Sequence, residues 1–316
     1  MKNWSIISIF LFVFIFLTAC SETSNSLEKT DNKQQKLVIY TSMYPLAFFA
    51  EKIGGNLVTV HNLTPTGVEP HDYEPTQKDL INLNKSDIFI YNGAGLEGWV
   101  DKVKTNINTE QTLLVESTKN IKLLTATEEE EEDHHHHEGN HTENVDPHVW
   151  LDPSLAKKQA ENIKQALIQK DPKHKTLYEQ NYQKLAKRLD QLDQSYQSVL
   201  SQTKNKNVLT SHAAFHYLTE RYGLKQVAIS GLSPDQEPSP KRLKEIIQYA
   251  EQNKIKYIFF EKLVDPKIAK VVTNEIHATA LVLDPLEGLT PDELKKGEDY
   301  FSISMRNLEN LKIALQ

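Results

Sequence analysis

Short strand-like runs alternate with helix-like segments twice along this chain, and one long periodic stretch separates the two series. The first series reads as strands over Leu37–Tyr40, Val58–Asn62, Ile88–Tyr91 and Thr112–Val115, with helices over Tyr44–Ile53, Thr76–Lys85 and Leu96–Thr105. The second reads as strands over Val208–Thr210, Gln226–Ile229, Tyr257–Phe260 and Ala280–Leu283. Its helices are Ala213–Tyr222, Lys241–Gln252, Pro266–Ile276 and a last one around Tyr300–Leu315. Apolar strands alternating with helices at this spacing imply parallel sheets covered on both faces. Between the series, Pro153–Lys170 is helical, and then Tyr178, Tyr182, Leu185, Leu189, Leu192, Tyr196 and Val199 recur at steps of four and three. That spacing makes one apolar stripe on a long helix. Tyrosines are poor coiled-coil seam residues, so the stripe is expected to pack along the chain's own lobes, in a monomer. The expected fold class is α/β, with two (βα)4-like lobes joined by one long rigid helix. No repeat with a period of 20–50 residues is visible.

The first twenty residues read as a targeting segment. A charged start, Met1-Lys2, is followed by an apolar run from Ile6 to Leu17, broken only by Ser8. That is shorter than the roughly 20 residues a membrane span needs. It ends Leu17-Thr18-Ala19-Cys20, which resembles the bacterial lipoprotein signal, with Cys20 the lipidated residue and the membrane anchor. Cys20 is the chain's single cysteine, so the mature protein would carry neither disulfide nor free thiol. Residues 21–35 are polar and pattern-free, a flexible tether. The boundaries expected beyond it are a first lobe over 36–171, a linking helix over 172–204 and a second lobe over 205–316. The net charge of −7 comes without any basic stripe, which argues against nucleic acid as a partner. The expected location is the extracytoplasmic face of the cell membrane, compatible with a Gram-positive surface.

An acidic, histidine-rich loop over 128–144 interrupts the first lobe. Six acids, Glu128 to Asp133, run into four histidines, and five of the chain's twelve histidines lie here: His134, His135, His136, His137 and His141. So polar a tract cannot build a core, and clustered imidazoles among carboxylates point to auxiliary metal contacts. His137-Glu138-Gly139-Asn140-His141 matches the zinc-protease pattern H-E-x-x-H literally. That chemistry needs a helix, and Gly139 and Asn140 are poor helix formers with no apolar periodicity around them. The match is rejected.

Four candidate ligands fall where strands end. His71 follows the second strand, His148 the fourth, His212 the first strand of the second lobe, and Glu287 its last strand. Ligands of parallel α/β sheets bind at the carboxyl ends of strands, so two facing lobes would bring all four into one cleft. Three imidazoles and a carboxylate suit tetrahedral Zn²⁺. Each residue also has a structural alternative. His71 could steady a Pro-bounded turn, and His148 could pack beside Trp150. His212 could cap the next helix, for which Ser211 is the better type. Glu287 could be a surface acid, and His216 competes with it as fourth ligand. If Glu287 does not ligate, His71, His148 and His212 would leave an open position as in a zinc hydrolase, with Glu69 or Glu74 as base.

The stretches GVEPHDYEPT (67–76), DPHVWLDP (146–153), TSHAAFHYL (210–218), GLSPDQEPSP (231–240) and LDPLEGL (283–289) occur in order across both lobes. On these, the chain resembles the zinc-binding lipoprotein component of bacterial ATP-binding-cassette importers, in the metal-specific solute-binding family. The resemblance covers essentially all of 36–316. It implies that His71, His148, His212 and Glu287 bind Zn²⁺ in a cleft between the lobes, and that the partner is a membrane permease. It implies capture for import rather than catalysis. Manganese-type members carry a carboxylate in place of the third histidine, so His212 favours zinc; a manganese binder, or an adhesin using the same fold, is the alternative. An acidic His-rich loop before DPHVW is typical of zinc members. The chain ends at Gln316, without the extra zinc-binding domain of some streptococcal relatives, and it has no counterpart of the disulfide in some proteobacterial ones.

Overall fold

The structure, a computed structural model, describes residues 36–125 and 145–316. The first lobe contains β1 (Leu37–Thr41), α1 (Tyr44–Gly54), β2 (Val58–Asn62), α2 (Gln77–Leu83), β3 (Ile88–Tyr91), α3 (Val100–Lys104) and β4 (Leu113–Glu116). Two helices follow, α4 (Pro153–Lys170) and α5 (Lys175–Leu200). The second lobe contains β5 (Asn207–Thr210), α6 (His216–Arg221), β6 (Lys225–Ala228), α7 (Pro240–Gln252), β7 (Tyr257–Phe260), α8 (Lys267–Glu275) and β8 (Thr279–Val282). Helices α9 (Pro291–Lys296) and α10 (Tyr300–Leu315) end it.

Each lobe is one four-stranded sheet, in the orders β2-β1-β3-β4 and β6-β5-β7-β8, with every pair parallel. The second order repeats the first. In both, the chain reverses its direction of travel across the sheet beside the first strand. The carboxyl ends of the strands there are the usual ligand position of such sheets.

Helix α5 holds the lobes together. Its 26 residues span about 39 Å at 1.5 Å per residue. It buries Tyr178, Tyr182, Leu185, Ala186, Leu189, Leu192, Tyr196 and Leu200 on one face. The expected stripe is therefore present, except that Leu200 takes the buried position assigned to Val199, which is half-buried. Two tyrosines fit this face because their hydroxyls find partners: Tyr178 donates to Asp171 Oδ2 at 2.7 Å and Tyr196 to Ser304 O at 2.7 Å. Helices α1 and α4 pack on α5 from the first lobe and α10 from the second.

The lobes also touch directly. Phe48 and Phe49 of α1 meet the Tyr300 ring of α10 at centroid separations of 5.8 and 5.2 Å. One apolar cluster consequently runs from Ile39 in β1 to Leu311 in α10. Leu189, fully buried at the middle of α5, lies inside it. Leu189→Ala is expected to cost about 2–5 kcal/mol, through lost transfer energy plus the cavity it leaves. The measurement is the denaturant midpoint, which should fall with an unchanged slope.

Most element ends shift by one or two residues, two helices start three or more residues late, and one helix was not expected. Helix α3 starts at Val100 rather than Leu96, because Gly93, Ala94 and Gly95 all adopt positive φ. The Glu97 side chain then accepts from Asn92 N and Gly93 N, at 2.7 and 3.1 Å, and holds that turn outside the helix. Helix α6 starts at His216 rather than Ala213, and neither Ser211 nor His212 caps it. Helix α9 was not expected, yet its signals are in the sequence. Pro291 opens it, Thr290 and Glu293 form a capping box, and Gly297 at φ 69° ends it.

Candidate metal centre

Each candidate ligand is set by a short structured loop at a strand end. His71 sits in the Pro-rich loop after β2, where its backbone N donates to Glu69 Oε2 at 2.9 Å. The same loop crosses to the other lobe, with Gly67 N donating to Leu289 O at 2.9 Å. His148 follows Asp146-Pro147, and the Pro147 carbonyl accepts from Asn92 Nδ2 at 2.9 Å. Asn92 in turn accepts from Gln159 Nε2 of α4 at 2.9 Å. His212 lies two residues past β5, where Ala213 N donates to Gly231 O at 2.9 Å. Glu287 follows Leu286, a buried non-glycine residue at φ 61°. Leu286 N donates to Asp284 Oδ1 at 2.9 Å, which stabilises this left-handed turn. A strained, over-determined backbone beside a polar side chain is common at functional sites.

Two imidazoles are oriented from behind by carboxylates. His148 Nδ1 donates to Asp146 Oδ1 at 2.7 Å, and His212 Nδ1 to Glu261 Oε1 at 2.6 Å. The Ser211 hydroxyl also donates to Glu261 Oε1. With each Nδ1 occupied, Nε2 is the atom left for a ligand, the arrangement that carboxylate–histidine–metal triads use.

The donor atoms converge. His71, His148, His212 and Glu287 each offer one, and the four lie within 4.8 Å of one another. Glu287 Oε1 is 3.2 Å from His148 Nε2, 3.6 Å from His71 Nε2 and 3.8 Å from His212 Nε2. His71 Nε2 and His148 Nε2 are 3.3 Å apart. Donors about 2.0–2.1 Å from a tetrahedral zinc would stand about 3.3 Å apart along each edge. The side chains of His148, His212 and Glu287 are 0–1% exposed and that of His71 11%. His212 Nε2 and Glu287 Oε1 are buried without a hydrogen-bond partner. Such orphans are costly in a packed interior unless something else satisfies them. A cation between the four donors would do so. Beside His71 a cavity lined by residues of both lobes, including Glu116, Pro147, Leu232 and Gln236, opens outward.

Charge at the site is strongly coupled. Burial raises the Glu287 carboxyl, but contact with His148 and His71 and the nearby His212 overcome this and hold it well below the usual range. Burial disfavours the His148 imidazolium, yet the Asp146 hydrogen bond and the nearby Glu287 carboxylate outweigh it and lift His148 to about 10. Burial dominates at His71 and lowers it. Burial and the adjacent Glu287 carboxylate push Glu69 up to about 9, so it is a neutral acid at pH 7. Glu74, the other candidate base, is exposed and outside the four-donor group.

The structure thus brings together the four strand-end candidates and leaves His216 apart. His216 Nδ1 is 4.0 Å from Asp146 Oδ2, the carboxylate oxygen that His148 does not use. His134, His135, His136, His137, His141 and Cys20 lie outside the described residues. Sequence reasoning missed the orienting acids. Asp146 stood two residues before His148, and Glu261 immediately follows β7, the strand paired with β5. That pairing was the available signal, since β5 leads into His212.

Three comparisons bear on the site. The family model described as "Zinc-uptake complex component A periplasmic" matches residues 39–314. The chain is 39% identical over 314 residues to the high-affinity zinc uptake system protein ZnuA of Bacillus subtilis, covering 99% of this chain and 98% of that one. It is 40% identical over 298 residues to the zinc-binding lipoprotein AdcA of Streptococcus pneumoniae, covering 94% of this chain but 58% of AdcA. Against AdcA, therefore, it spans under two thirds of the relative's length. The crystal structure of the Zn(II)-bound ZnuA-like domain of that AdcA superposes with a TM-score of 0.75 at 38% identity, covering 89% of this chain and 99% of the domain.

Proposed function

This chain belongs to the family of zinc-uptake complex component A, and we propose that it captures Zn²⁺ outside the cytoplasmic membrane and delivers it to the permease of an ATP-binding-cassette importer. The ligands in this reading are His71, His148, His212 and Glu287. The observation that carries it is the convergence of four donors, two from each lobe, at separations close to the edges of a zinc tetrahedron. A fully protein-ligated ion has no open position for a catalytic water, so this is a carrier rather than a hydrolase.

The lobes over 36–171 and 205–316, with 172–204 as spacer, act as two jaws of limited travel, because one apolar core crosses between them. Cys20 anchors the monomer to the membrane by its lipid, and residues 21–35 tether it. The His-rich loop over 128–144 gathers zinc weakly and raises its concentration near the cleft. Cu²⁺ should bind such nitrogen-rich ligands at least as well as Zn²⁺, so selection rests on metal availability and on which loaded form the permease accepts.

Calorimetric titration of residues 21–316 with Zn²⁺ and Mn²⁺ tests this. One tight site is expected for Zn²⁺ and a much weaker one for Mn²⁺, which prefers oxygen-rich sites. Deleting 128–144 should remove only weak binding. Tighter binding of Mn²⁺ than Zn²⁺ would replace the reading with the manganese one. Loss of the tight site on loop deletion would move the receptor from the cleft to the loop.

A further inference from the structure

Tyr217 belongs to α6 in the second lobe, yet it is buried in a small apolar cluster with Ile121 and Val149 of the first. Its hydroxyl accepts from Leu124 N at 2.9 Å and donates to the Asp146 carbonyl at 2.8 Å. Leu124 and Asp146 face each other, with Asp146 N donating to Leu124 O at 2.9 Å beside an antiparallel bridge between Thr125 and Val145. One side chain from the opposite lobe thus clamps the residue whose carboxylate takes both His148 N and His148 Nδ1.

We infer that Tyr217 is a positioning residue of the metal centre, a hydrogen-bonded latch between the lobes that fixes Asp146, and through it the His148 ring. The inference rests on the zinc-capture reading. The Asp146-Pro147 segment is held at two consecutive carbonyls, by Tyr217 from the second lobe and by Asn92 from the first. Separation of the lobes breaks the first hold and leaves the second. Of the backbone bonds of Asp146 only that from its N–H to Leu124 O then remains, so its carboxylate is held less firmly and the orientation it gives His148 Nε2 loosens. Opening the cleft therefore loosens a ligand as well as removing the second lobe's own donors, which assists release at the permease. A hydroxyl is required for this, because only a group that donates and accepts satisfies both backbone partners.

Tyr217→Phe keeps the ring in its cluster and removes both bonds. Loss of an outer-shell partner of this kind is expected to speed zinc dissociation on the order of tenfold. Stopped-flow transfer of Zn²⁺ to a chelator reads that rate. The visible spectrum of the Co²⁺-substituted protein, which reports the geometry around the ion, should change with it. Tyr222→Phe is the matched control, since it deletes the hydroxyl that donates to Asp193 at 2.8 Å just beyond the same helix. It should leave both readouts at the wild-type value. In an Asp146→Asn background the effect of Tyr217→Phe should shrink, since both changes act on the same histidine. Wild-type rates and spectrum in Tyr217→Phe would overturn the inference alone, as would equal effects in Tyr222→Phe. A wild-type protein without a tight zinc site would overturn zinc capture and this latch together.

Discussion

Replacing His212 by alanine is expected to weaken zinc binding by two to three orders of magnitude. Four-ligand zinc sites contribute about 10–16 kcal/mol in total near neutral pH, so one ligand in four carries about 2.5–4 kcal/mol. At 1.4 kcal/mol per decade, that is about 60-fold to 700-fold. Two local features make His212 the informative choice. Its Nε2 is buried without a hydrogen-bond partner, so no hydrogen bond on that atom is lost with it. Its ring is fixed by Glu261 alone among the acids of the site, so the other three donors keep their own supports. The variant does leave Glu261 with one partner fewer. A thermal melt of the metal-free proteins measures that separately. Calorimetry on wild type and variant, each without residues 1–20, provides the test. Retention of the tight site in His212→Ala would remove the second lobe's histidine from the ligand set. If the tight site survived His212→Ala and vanished when 128–144 was deleted, capture in the cleft would fall.

How much of this was legible in the sequence differs between fold and site. The eight strands were readable because runs such as Ile88-Phe89-Ile90-Tyr91 are apolar on both faces, and all four of these residues are buried. The periodicity of α5 was readable because a helix that packs along two lobes must repeat one face for its whole length. Turns that depend on side chain–backbone bonds were not readable. The Glu97 carboxylate shortens α3 by capturing two backbone N–H groups, an event with no periodic signature. The four donors were legible as strand-end residues because the carboxyl edges of parallel sheets face ligands. Their orienting acids were not, since Asp146 and Glu261 act through side-chain direction rather than position alone. The left-handed Leu286 also defeats pattern reading, because leucine is a residue one expects to avoid that region.

Zinc affinity should fall at least tenfold for each unit of decreasing pH below about 9, and binding at pH 7 should release at least one proton from the site. Free histidine would put the onset of this competition near 6.5, the value the sequence suggests. The folded site moves it upward. Burial opposes a charge on His148, but Asp146 accepts from its Nδ1 and Glu287 lies 3.2 Å from its Nε2. The outcome is a value of about 10, so the metal-free site carries an imidazolium at neutral pH. Zinc needs the Nε2 lone pair and must displace that proton. His71 adds no second proton near neutrality, because burial lowers it. The sign follows directly. Below about pH 10 the competing proton becomes more abundant as pH falls, so apparent affinity drops with at least unit slope, and above that value the slope flattens. Titration at pH 7 in two buffers of different ionisation enthalpy measures the number released. At least one proton per zinc supports an imidazolium poised between Asp146 and Glu287. Zero would mean that His148 is already neutral in the metal-free protein, and the hydrogen bond to Asp146 and the pull of Glu287 would then be too weak to overcome burial.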